Sequence, residues 1–252
     1  FESTIFNGAN LSGNDLSESD FESTNFKNTN LKNANLNSAQ FLMADLTGAN
    51  LAGADLTRTS FVHSNLSGAN LSGAIMDRNN FSNANLSGQD FTVISNASIW
   101  RSVYSSADLS NTNFEGISLY DDKIYEFVST NNANLDGKSL SELNELLGKF
   151  PNHWPIGKRV VGNDLIIEYI YFSNFVLTDL QNANFSNADL RHAIFHSANL
   201  TNADLSGADL RKAVLDNADL SNANLEGALL DDATLSNANL NCLNHPICKS
   251  GA

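Results

Sequence analysis

The side chains able to do chemistry are few, and most of them recur at a fixed spacing. Asp stands repeatedly one residue ahead of a Leu, as in Asp45-Leu46, Asp55-Leu56 and Asp209-Leu210. A carboxylate repeated along a solvated surface has no cause to shift its pKa and makes a poor general acid or base. His192 and His196, four residues apart, could share a cation or could be two solvated surface histidines. Arg58 with Arg78, and Arg191 with Arg211, recur twenty residues apart beside Asp77, Asp189 and Asp209. That pattern reads as local ion-pair networks or as a stripe that meets a partner. No Gly-rich phosphate loop, nucleophile elbow or helical His pair at metal-ligand spacing occurs. The sequence therefore predicts a protein that is not an enzyme, with no catalytic residue, no bound metal and no cofactor.

Cys242 and Cys248 are the two cysteines, and they flank Asn244-His245-Pro246. A disulfide there would staple the C-terminal end of the fold. Zinc held by the same pair with His245 is the competing reading and would lack a ligand. A disulfide would favour an oxidising compartment: periplasm, thylakoid lumen or the cell exterior.

The elements that carry these residues are set by a five-residue period. Leu or Phe recurs at every fifth residue from Phe1 to Phe91, with Met76 in phase, and again from Phe175 to Leu240. Two residues ahead of each stands a small residue, so the unit reads Ala-(Asn/Asp)-Leu-x-x. A period of five fits neither a helix at 3.6 nor a flat strand at 2, but it fits a short strand and a tight turn with two inward side chains. Sorting by twenty residues separates Phe1, Phe21, Phe41, Phe61 and Phe81 from the row Leu11, Leu31, Leu51 and Leu71. Every fourth unit is thus expected to stack on its predecessor. The column Asn10, Asn30, Asn50 and Asn70 is expected to form a hydrogen-bonded ladder.

Units such as Ala34-Asn35-Leu36, Ala69-Asn70-Leu71 and Ala208-Asp209-Leu210 resemble the pentapeptide-repeat family. The resemblance implies an all-β solenoid, a right-handed quadrilateral β-helix with four pentapeptides per coil and the Leu, Phe and small residues inside. Some members protect type II topoisomerases by imitating DNA, so gyrase protection is an alternative that the resemblance brings.

Four segments follow: a repeat block over 1–140 with a phase break near 92–98, an insertion over 141–172, a second block over 173–241, and a tail over 242–252. Centres resume after the break at Ile99, Tyr104, Leu109, Phe114 and Leu119, and return at Leu135 and Leu140. The insertion reads as a helix capped by Ser139 or Ser141 with an apolar stripe of Leu140, Leu143, Leu146 and Leu147. A turn over Pro151–Pro155 and a β-rich run from Leu165 to Phe172 follow it, and Leu165 and Ile170 share the phase of Phe175. Its helix is expected to pack on the apolar strip of Val176, Leu177, Ile194 and Val214, leaving a tip of His153, Trp154, Lys158 and Arg159 for a partner. Leu42, Met43, Val62 and His63 form a second outward apolar spot.

Net charge is −14, spread evenly along the chain, which argues against a direct hold on nucleic acid phosphates. No run of eighteen apolar residues occurs, so no transmembrane helix is predicted. Phe1 already stands in phase with no signal or transit segment ahead of it, and the expectation is that a true start has been removed. The predicted function is a non-catalytic scaffold that presents a rigid acidic surface to a protein partner, with an end-to-end or homodimer contact at its open edge.

Overall fold

The computed structural model describes residues 1–98, 102–115, 117, 125–130, 153–161, 164–171 and 173–248. The unit Phe41-Leu42-Met43-Ala44-Asp45 shows how five residues make one turn. Phe41 and Ala44 are buried, and the other three reach the surface. The Ala44 N–H donates to the Phe41 carbonyl at 3.0 Å, closing the turn. Met43 is left-handed at φ 58°. Most units put Asn, Gly or Ser at this third position, the residues that accept the left-handed region most readily. The Asn or Asp ahead of the centre accepts the N–H two residues on, as Asn65 Oδ1 does from Ser67 at 3.1 Å. That local bond fixes the entry to the turn.

Coils are joined by parallel bridges twenty residues apart, such as Asn25 to Asp45, Asp45 to Asn65 and Asn65 to Asn85. The Phe41 N–H donates to Ser60 and the Asp45 N–H to Thr24, at 2.8 and 3.0 Å. Units twenty residues apart therefore stack into columns at the spacing of paired strands, about 4.8 Å. We call them A to D in chain order, starting from Phe1, Phe6, Leu11 and Leu16. In column A the rings of Phe21, Phe41, Phe61, Phe81, Tyr104, Phe175 and Phe195 stack with successive centroids 5.0 to 5.5 Å apart. Inward Thr residues donate to backbone carbonyls: Thr59 and Thr178 to those of Leu36 and Tyr104 in the coil before, each at 2.8 Å, and Thr112 to that of Leu109 in its own unit at 2.6 Å. A buried hydroxyl bonded in this way contributes about 1 kcal/mol instead of costing more than that.

The twenty-residue register breaks twice. Asn80 bridges Val103, so three extra residues enter one coil. One is taken up where β1 (Ile75–Asp77) meets β2 (Ser95–Ser98) with a register shift, next to a 3-10 turn over Phe91–Val93 capped by Asp90, and the other two enter between Ser98 and Val103. Val103 then bridges Asn174, Asp108 bridges Asp179, and Asn113 bridges Asn184. The helical path is left after Ile117, whose carbonyl accepts the Asp189 N–H at 2.9 Å, and is rejoined at Ser173.

Away from the coils, β3 (Tyr125–Thr130) pairs antiparallel with β5 (Asp164–Tyr171), which also pairs with β4 (His153–Val161). Tyr-Glu-Phe-Val-Ser-Thr is rich in aromatic and β-branched residues, which suit a strand of the three-stranded sheet. Leu165 and Ile170 share the repeat phase but lie in β5, so coils do not restart there. The expected turn over Pro151–Pro155 gives way to a strand at His153; Pro155 is accommodated at the register shift before Gly157, where a missing N–H is tolerated. The helix expected from residue 141, with Leu135 and Leu140, lies outside the described residues.

At the C-terminal end Leu243 bridges Asn224, one residue short of the usual register. Cys242 thereby takes the inward place of a small residue, buried, and is bonded to Cys248 with their Cα atoms 5.0 Å apart. Ile247 and Cys248 pack against the last core residues. The loop is short, so its closure is worth about 2 kcal/mol. Replacing Cys242 and Cys248 together by Ala is expected to lower the urea midpoint accordingly and to speed hydrogen exchange in residues 225–243 before other coils. Thiol titration of the denatured, unreduced chain should find no free thiol.

Candidate functional site

Outward side chains sort by column, because each column presents one turn per coil. On column A, Met43 donates its N–H to Val62 and His63 to Ser82, both at 3.0 Å. The line continues through Asn83 to Ser105, Ser106 to Val176 and Leu177 to His196, at 2.9 to 3.0 Å. The two apolar spots, more than a hundred residues apart in sequence, therefore lie on one face. From the coil of Phe41 to that of Phe195 no surface position of column A is Asp, Glu, Lys or Arg. Leu42, Val62, Val103, Val176 and Ile194 are half-buried along it, while Met43 and Leu177 are 58% and 61% exposed. Five coil steps span about 24 Å.

Column D carries charges of both signs. It carries Arg58 and Arg78, then Arg191, His192, Arg211 and Lys212 after the insertion. Arg191 donates from Nε and Nη2 to Asp189 at 2.9 and 2.7 Å, and Arg211 does the same to Asp209 at 2.8 and 2.6 Å. Arg191 also stands 3.7 Å from Asp209, tying the two coils together. Arg191, His192, Arg211 and Lys212 line a recess of about 200 Å³. The Arg211 guanidinium holds the Asp209 carboxyl below its ordinary range. Burial, then the charges of Lys212 and Arg191, push the His192 imidazole down, against the pull of Asp189.

Columns B and C are polar ladders. Asn30 donates to Asn10 at 3.0 Å, Asn50 to Asn30 at 3.4 Å, and Asn199 to Asp179 at 3.2 Å. Their turns leave little room: a Cβ on Gly48, itself left-handed, would fall 2.6 Å from Asn28 Oδ1. Left-handed residues other than Gly, Asn and Ser occur, among the described residues, only on columns A and D: Met43, His63 and Leu177 on A, and Glu18, Arg58, Arg78, His192, Lys212 and Asp232 on D. Each such residue carries on the order of 1 kcal/mol of strain. Among the described residues, large left-handed side chains are thus kept at a cost on two adjacent corners.

The sequence-predicted residues are distributed accordingly. Leu42, Met43, Val62 and His63 do come together on column A. His192 and His196 part company, one on column D and one on column A. His153, Trp154, Lys158 and Arg159 lie along β4, with His153 opposite Tyr171 and Arg159 opposite Ile166, rather than in a turn. Tyr104 takes a Phe place in the core, where burial raises its phenol far above the usual range. Among the described residues no group of three His, Cys, Asp or Glu could hold a metal, and no helix is long and apolar enough to cross a membrane.

Family models match the chain over residues 1–71, as a pentapeptide repeat region, and over 54–92, 173–211 and 208–241, as pentapeptide repeats (8 copies). No curated protein matches. Among solved structures the chain is similar to HetL, a pentapeptide repeat protein involved in heterocyst differentiation regulation from the cyanobacterium Nostoc sp. strain PCC 7120. The identity is 24% over 97% of this chain and 86% of HetL, with a TM-score of 0.57. That likeness shows the fold, a right-handed β-helical solenoid. QnrB1, a plasmid-mediated fluoroquinolone resistance protein, is 15% identical over 87% of this chain and 92% of its own, with a TM-score of 0.32. A pentapeptide repeat protein from the Arabidopsis thaliana thylakoid lumen is 20% identical over 79% and 70%, with a TM-score of 0.19.

The strain on the two corners is measurable. Leu177→Gly is expected to raise the unfolding free energy by about 1 kcal/mol, since a mostly exposed side chain is lost and a left-handed one relieved. Asn83→Gly, on the same column, should change it by only a few tenths. For His192 the unfolded chain takes up its proton first, at the ordinary value of 6.5. Its contribution to stability is therefore complete above that pH and is lost as pH falls through the lower folded value. His192→Asn should remove that part of the decline in urea midpoint between neutral pH and about pH 5.

Proposed function

Because the chain belongs to the pentapeptide-repeat family, we propose that it is a non-catalytic interaction scaffold, a quadrilateral rod that binds a protein partner along column A. The uncharged, apolar-rich face from Met43 to Leu177 carries this reading. Its apolar side chains gather in two clusters, Leu42, Met43 and Val62 at one end and Val176, Leu177 and Ile194 at the other, with His63, Asn83 and Ser106 between them, and clustered exposed apolar side chains mark protein contacts where scattered ones do not. The twenty-residue register, filled by four five-residue units, supports the quadrilateral cross-section. Among the described residues the interior of the coils is filled by stacked rings and aliphatic side chains, which supports the non-enzymatic role. His153, Trp154, Lys158 and Arg159 on β4 stand as a second contact in the same reading.

Gyrase protection by DNA mimicry has less support. Carboxylates alternate with Asn on the ladders, as in Asp179, Asn199, Asp219 and Asn239, and those of Asp189 and Asp209 on column D are paired with Arg191 and Arg211. The purified chain is expected to leave topoisomerase supercoiling unchanged at micromolar concentration.

The test of the main reading is a pull-down from an extract of the source organism. The wild-type chain should retain a protein that a Met43→Asp, Leu177→Asp double variant loses by at least about tenfold, while Asn202→Asp on column B keeps it. Equal retention by all three would sink the reading.

A further inference from the structure

Each turn of column A hands the chain to column B, so the corner of Met43, His63 and Leu177 borders the column B ladder. That ladder climbs from Asn25 through Asp45, Asn65 and Asn85, then Asp108, Asp179 and Asn199 to Asp219, one per coil. The two apolar clusters and the ladder share a midpoint, between the coil of Phe81 and that of Tyr104, where the stack keeps its spacing with the rings 5.5 Å apart. Building on the interaction reading, we infer that the partner along column A is a second copy of this chain, lying antiparallel with a two-fold axis at that midpoint.

A two-fold axis sets each coil against the one equally far on its other side. On the turns, Val62 and His63 then meet Val176 and Leu177 of the second copy, so one apolar cluster covers the other, twice over. Asn83 meets Ser106 at the centre. On the ladder, Asn85 faces Asp108, Asn65 faces Asp179 and Asp45 faces Asn199, and the outermost pair is Asn25 with Asp219. No carboxylate of this stretch faces another. A parallel copy would instead set Asp45 on Asp45 and Asp108 on Asp108. Donors and acceptors are open for the antiparallel pairing: among the described residues the side-chain amides of Asn65 and Asn85 donate to nothing. Asp108 and Asp179 accept the N–H groups of Ser110 and Gln181 through Oδ1 and leave Oδ2 unbonded.

Charge also says where like copies can meet. Each copy carries −14, so two of them repel wherever carboxylates face one another. Column A has no charged surface position from the coil of Phe41 to that of Phe195, and copies approach there at least cost. Charges return at both ends of this stretch. One coil before Leu42 stands Glu22, one coil after His196 stands Asp216, and the two-fold axis sets them against each other. That repulsion lies on the rim, where it is small. It belongs to this register alone.

Sedimentation velocity of the full chain across micromolar concentrations should find a dimer that tightens as salt rises, because salt screens the repulsion between acidic copies. Leu177→Asp, which a left-handed turn accepts, should weaken it at least about tenfold, while Asn187→Asp on the opposite corner should not. Glu22→Lys or Asp216→Lys alone should each tighten it about threefold, and the two together should lose that gain. Gains that add would mean that net charge alone matters, which overturns the register. His63→Cys mixed with Leu177→Cys should cross-link on mild oxidation, and neither variant should cross-link with itself. A chain that stays monomeric, or a His63→Cys chain that links to itself, overturns the inference. Hydroxyl-radical protection of Leu177 in a monomer would mean that the chain's own residues cover the strip, and it overturns the inference too. A monomer that still captures a different protein through Met43 and Leu177 would leave the broader interaction reading standing.

Discussion

A chain that turns a corner every five residues must put one residue per unit into the left-handed region, and most other features depend on that constraint. The turn is closed by a bond such as Ala44 to Phe41 and is held in register by the N–H of the left-handed residue itself, which donates to the next coil, as Met43 does to Val62. Composition follows from it. Gly, Asn and Ser fill the strained position, Asn and Asp cap the entry to it, and Ala fits the inward place where the turn brings backbone close to the axis. Because each turn is hydrogen-bonded to its neighbours, the corners cannot relax independently. A costly side chain at one corner is supported by the coils on either side.

The core answers the same constraint from within. Columns of like side chains stack because each unit lies directly on the one twenty residues before it, and the column A rings keep their spacing through both breaks in register. Phe81 stacks on Tyr104 at 5.5 Å across the first, and Tyr104 on Phe175 at 5.2 Å across the second. The inserted residues leave and re-enter without disturbing the stack, so the two repeat blocks form one core. The C-terminal end is closed differently, by Cys242 turning inward one residue early and by Ile247 folding back on the last coil.

Much of this was legible from spacing alone. The Phe column gave the twenty-residue coil, and the isolated Cys pair pointed to a terminal staple. What could not be read was which residues leave the helix. Phase counts any Leu or Ile at a multiple of five, and a period-two strand supplies such residues by chance, as Leu165 and Ile170 do. The missing signal was the small residue two places earlier: Gly162 and Asn163 precede Leu165, and Glu168 precedes Ile170, where a coil would place Ala or Thr. The union of Met43 with Leu177 was hidden for a related reason. It appears only once Val103 is known to bridge Asn174, and no local pattern states the length of an insertion.

Function on a filled solenoid has to be written on the outside, and the corners do not offer equal room. On columns B and C the ladders and close contacts, such as Asn28 against Gly48, hold the turns to small residues. Among the described residues the large left-handed side chains stand on columns A and D. Strain kept without a structural return points to use. Because A follows D along the chain, a corner rich in apolar side chains and a corner of Asp–Arg pairs share an edge through Ile194 and Val214. The insertion returns to the helix at Ser173, immediately before Asn174 and Val176, so it rejoins the coil at the strip itself. The rod thus gains direction from its sequence: apolar side chains along one corner, the Asp189–Arg191 and Asp209–Arg211 pairs beside their C-terminal part, and the carboxylates of Asp231 and Asp232 beyond.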